Sequence, residues 1–81
     1  MKEITFGIDC DPLCRNQENF QKDAERIIGR TIEADSKSFG CWEWTESVTD
    51  EQHEQIAKTL LRYYNDGLCR GCACTDLKKF M

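Results

Sequence analysis

Six cysteines in an 81-residue chain, five of them in two groups far apart in sequence, constrain what this protein can fold into more than any other feature. Cys10 and Cys14 stand in the run Cys-Asp-Pro-Leu-Cys, and Cys69, Cys72 and Cys74 in Cys-Arg-Gly-Cys-Ala-Cys; only Cys41 lies between. A chain this short buries only about 60% of the surface its unfolded form exposes, so its core is thin and a staple is of use. In an oxidising compartment such cysteines pair as disulfides, whereas in a reducing one they more often bind metal or carry out catalysis.

The chain opens Met1-Lys2-Glu3 and continues with the alternating run Ile4-Thr5-Phe6-Gly7-Ile8, which has no signal-peptide h-region. No later segment is apolar for long enough to span a bilayer. These features lead us to expect a cytoplasmic protein with no membrane segment, and in that setting thiols read as metal ligands.

Two thiolates separated by two residues can grip one tetrahedral ion from a tight turn, and Gly71 supplies backbone freedom within Cys69–Cys72. Cys10 and Cys14 have the wider spacing that zinc pairs also use. The expected cofactor is therefore zinc, held by Cys10 and Cys14 with Cys69 and Cys72, and Cys74 can replace one of the second pair. An iron–sulfur cluster or inert thiols are the alternatives. Cys41, with no sequence neighbour of its kind, fits the inert reading best.

The pattern of the remaining residues gives a small α+β fold, a single domain over residues 1–81, ordered strand, helix, β-hairpin, helix and cysteine-rich tail. Ile4, Phe6 and Ile8 alternate as in a strand with one buried face. Asp11-Pro12 reads as an N-cap and first helical residue, or the helix starts nearer Asn16; Leu13, Phe20, Ala24, Ile27 and Ile28 then form its stripe up to Gly29. Thr31–Ala34 and Phe39–Thr45 flank the polar turn Asp35-Ser36-Lys37-Ser38, with Trp42 and Trp44 on one face of the second arm. Thr49-Asp50-Glu51-Gln52 is a capping box, after which Ile56, Ala57, Leu60, Leu61 and Tyr64 form a stripe that ends at Gly67.

Charge is uneven around the net of −4: residues 31–55 hold one lysine against seven acids, and residues 56–81 hold five basic residues against two acids. That balance argues against nucleic acid as a direct partner. Trp42 and Trp44 read first as core residues; if exposed, they would make a hot spot for a protein partner together with Glu43 and Glu46. His53, the sole histidine, reads as an exposed or half-buried residue beside the helix cap rather than a ligand.

Asp9 and Asp11 serve capping and turns, and no nucleophile–base pair or phosphate loop is present. The expectation is a non-enzymatic zinc module that binds another protein. A thiol/disulfide redox protein using the Cys69–Cys74 cluster is one alternative, and an acidic inhibitor of a nucleic-acid-handling protein is another.

Overall fold

The computed structural model describes residues 1–81, and the alternations read above generate its elements. Strand β1 (Lys2–Asp9) leads to helix α1 (Asn16–Ile28), the hairpin β2 (Ser36–Ser38) and β3 (Cys41–Val48), helix α2 (Asp50–Asn65), strand β4 (Gly71–Cys74) and a 3-10 turn, Leu77–Phe80. The sheet is antiparallel throughout with order β2-β3-β1-β4. Each helix connects two strands that are not neighbours, the split β-α-β arrangement. This is the expected α+β class.

Period-two alternation gives the sheet two unlike faces. Ile4, Phe6, Ile8, Trp44 and Val48 are buried beneath the helices, while Glu3, Thr5, Cys41, Glu43 and Ser47 are exposed on the open side. The aromatic side chains meet at the centre of the core. Trp44 stacks on Phe6 with centroids 5.5 Å apart, Phe20 packs on both, and Tyr63 meets Phe20 edge-on. The polar tips are satisfied as burial requires: Trp44 Nε1 donates to Gln21 Oε1 at 3.2 Å, and Tyr63 Oη to Asp23 Oδ2 at 2.7 Å.

Helix α2 forms as its sequence dictates. Thr49 Oγ1 accepts from Gln52 N, and Gln52 Oε1 accepts from Thr49 N. At the far end Gly67 takes the left-handed conformation, and Leu68 N donates to Tyr63 O. Its buried stripe is His53, Ile56, Ala57, Leu60 and Tyr63, turned slightly from the expected one, so that Tyr64 is about half exposed.

Of the two starts expected for α1 the structure has the later, Asn16, because Asp11 shapes a turn: its Oδ1 accepts from Leu13 N, and its carbonyl accepts from Cys14 N. Leu13 is therefore 94% exposed rather than part of the stripe. The hairpin turn is Phe39-Gly40, both residues with positive φ, and Ser36–Ser38 is strand. Two left-handed residues match the twist of a tight hairpin better than the longer polar turn. Finally, the tail contains strand β4, whose Gly-Cys-Ala-Cys sequence carries no strand signal beyond what pairing with β1 provides.

Candidate metal centre

Chain direction places most of the thiols at one end of the molecule. β1 runs toward that end and finishes at Asp9, just before Cys10; α1 starts there, α2 runs back to it, and β4 leaves from it. The Cys10–Cys14 turn is therefore brought against the Cys69–Cys72 turn. Arg70 joins them: its backbone N–H donates to Asp9 O at 2.7 Å, and its guanidinium to Asp9 Oδ1 and Cys10 O, both at 3.2 Å. Asn16 Nδ2 adds a bond of 2.6 Å to Leu68 O.

The hairpin tip closes the same end. Cys10 N donates to Gly40 O at 3.0 Å, and buried Gln17 donates from Nε2 to the same oxygen, also at 3.0 Å. The Cys14 Sγ stands 3.9 Å from Gln17 Oε1.

No disulfide joins the six cysteines; Cys10 and Cys69 are buried, Cys14, Cys72 and Cys74 half-buried, and Cys41 exposed. Burial, with added repulsion from Cys14 and Cys69, pushes the Cys10 thiol up to about 12. Burial also raises Cys69, with Cys72 and Cys14 adding repulsion, while the backbone N–H of Gly71 faces the Cys69 sulfur and opposes the rise. Cys72 is raised by burial alone. Cys10 thus feels both Cys14 and Cys69, and Cys69 feels both Cys72 and Cys14.

Cys74 is the outlier. It faces the helices from β4 opposite Phe6, a strand step of two residues beyond Cys72, which stands opposite Ile8. Its thiol is pushed up to about 11 by burial, then by Cys72 and Asp76. No group of three or more His, Cys, Asp or Glu side chains stands in ligating geometry in the folded chain. Tetrahedral zinc with bonds of about 2.3 Å would need its sulfurs drawn together around the ion.

The other candidate residues are dispersed. Cys41 pairs with Asp9 across the sheet and points to the open face, away from the other thiols. Trp44 is wholly buried and offers no surface to a partner, and Trp42 is half-buried with Lys37 Nζ 4.3 Å above its ring. Glu43 is exposed, whereas Glu46 is occupied by Arg30 at 2.9 Å. His53 is buried rather than exposed: its Nε2 lies 2.6 Å from Thr75 O, its ring meets Phe80 edge-on, and its Nδ1 has no partner. The helical spacing of His53 from Ile56, Ala57 and Leu60 is the signal that would have placed it inside.

Comparison with protein-family models, with curated protein sequences and with solved structures finds no match for this chain. No helix is long and apolar enough to cross a membrane.

Proposed function

We propose that this protein is a non-enzymatic module of the cytoplasm, stabilised by one zinc ion on Cys10, Cys14, Cys69 and Cys72, and that it acts by binding another protein. The observation that carries the reading is the meeting of two thiol-bearing turns from distant parts of the chain at one end of the sheet. Each buried thiol in this group faces another thiol, and a divalent cation is the partner that turns such repulsion into attraction and deprotonates the ligands outright. Cys14 is half-buried in a surface turn and Cys72 half-buried near the start of β4, so a change of χ1 well at each can bring its sulfur toward an ion held by the buried pair. Cys74, further along β4, serves less well than Cys72.

A thiol–disulfide enzyme is supported less. Such enzymes activate one cysteine by lowering its pKa at a helix N-terminus or beside a cation. Here the four thiols that shift all go up, and the Cys69–Cys72 turn follows the C-terminal end of α2.

The test is metal content. Chain purified without added metal should carry one zinc by elemental analysis and by native mass spectrometry, and lose it on denaturation. Single Ser replacements of Cys14 and of Cys72 should abolish retention, whereas Cys41→Ser and Cys74→Ser should keep one ion per chain. Full metal content in Cys14→Ser and Cys72→Ser would refute the ligand assignment.

A further inference from the structure

The outer edge of β4 presents backbone groups that nothing in the fold uses. Thr75 N donates to Thr5 O across the β1–β4 seam at 2.9 Å. Alternation along an antiparallel ladder then turns the N–H and C=O groups of Ala73 toward β1, and those of Cys72 and Cys74 outward. β4 is an edge strand, and no loop, cap or side-chain hydrogen bond reaches those groups. The opposite edge is blunted in the usual way: β2 has only three residues, and its Lys37 lies over Trp42. β4 has no charged residue and no proline.

Beside this edge runs an open groove of about 580 Å³, with Ala73, Cys74, Leu77 and Met81 as its apolar lining. Lys78 and Lys79 stand along it. Lys79 shares Asp76 at 3.6 Å, and Lys78 has no carboxylate partner. An open edge, an apolar trough and unspent positive charge fit one occupant. We propose that β4 accepts an extended, acidic segment of a partner protein as a fifth strand, with alternate apolar side chains in the groove and carboxylates on Lys78 and Lys79. Main-chain bonds to Cys72 and Cys74 supply affinity, and the groove and lysines supply selectivity. This deepens the protein-binding half of the function proposed above, and it uses the backbone of Cys72 and not its sulfur.

The probe is a short capped peptide of alternating valine and aspartate, compared with the same peptide carrying lysine for aspartate. It is titrated into the full chain at a metal content measured beforehand, so that a failure of the zinc reading is seen separately. The acidic peptide should bind in the micromolar range and the basic one at least about tenfold more weakly. Amide exchange at Cys72 and Cys74 should slow by about tenfold or more on binding, with Ala73 unchanged. The double variant Lys78→Glu, Lys79→Glu should weaken the acidic peptide at least about fivefold while keeping the melting curve. Three results would overturn the proposal: no binding of the acidic peptide at about 1 mM, a Kd of merely millimolar strength; binding that leaves the Cys72 and Cys74 amides unprotected; or protection of those amides in peptide-free chain through self-association.

Discussion

Gly40 lies so close to Cys10 that a Cβ at position 40 would overlap the Cys10 carbonyl oxygen, with the Pro12 ring 3.2 Å away. Its φ is +88°, so the hairpin tip needs glycine twice, for conformation and for space. Through this contact the turn between β2 and β3 seats the Cys10–Cys14 loop. Replacement Gly40→Ala should cost about 2–4 kcal/mol, from left-handed strain and displacement of the loop. Gly29→Ala is the control: φ is +86° there but no atom lies within 4 Å of the added Cβ, so only about 1 kcal/mol should be lost. Urea unfolding of the two variants measures the difference, and Gly40→Ala should in addition release metal more readily.

Gly71 makes a different demand on the site. Space at its Cβ is open, and its N–H faces the Cys69 sulfur. Gly71→Ala should leave zinc affinity within about twofold, whereas Gly71→Pro, which removes the donor, should lower it about tenfold or more. Competition with a chelating dye measures both. Equal affinity in the two variants would show that the N–H contributes nothing to holding thiolate.

The metal-free chain should lose stability in alkali. Cys10 titrates near 12 and Cys74 near 11 in the fold, against about 9 for an ordinary thiol. Above pH 9 the unfolded chain therefore releases protons that the folded chain keeps, so stability falls as pH rises, until each folded thiol itself ionises. Below about pH 8 these groups impose no slope. The three-unit rise at Cys10 sets an upper limit of about 4 kcal/mol for its part. Urea midpoints measured with reductant and chelator from pH 7 to 11 should fall above 9, and Cys10→Ala should flatten the curve.

Thr49→Ala removes the acceptor for Gln52 N and breaks the reciprocal cap of α2. It should cost about 1 kcal/mol without touching metal content. Thermal unfolding and elemental analysis on the same sample separate the two effects.

The elements legible in the chain were those with a local cause. β1 could be read because Ile4, Phe6 and Ile8 alternate, and the start of α2 because Thr49 and Gln52 satisfy each other within one turn. β4 was illegible because Cys72 and Cys74 have no strand preference of their own; their conformation comes from pairing with Ile8 and Phe6. The turn at Phe39-Gly40 was hidden for a related reason. An aromatic residue at positive φ is not a turn signal, and only the fit of Gly40 against Cys10 and Pro12 selects it.

By itself, the sequence determined the α+β class, the presence of both helices, the buried face of β1 and the capped start of α2, because hydrophobic period and capping act over a few neighbouring residues. Tertiary structure decided which thiols meet. Cys10 and Cys69 are far apart along the chain yet share one end of the sheet, since β1 and α2 both finish there and β4 departs from it. The same strand order sends Cys41 to the open face and leaves one edge of β4 free. Strand order arises from packing two helices on one sheet, a property of the whole molecule that no single segment encodes.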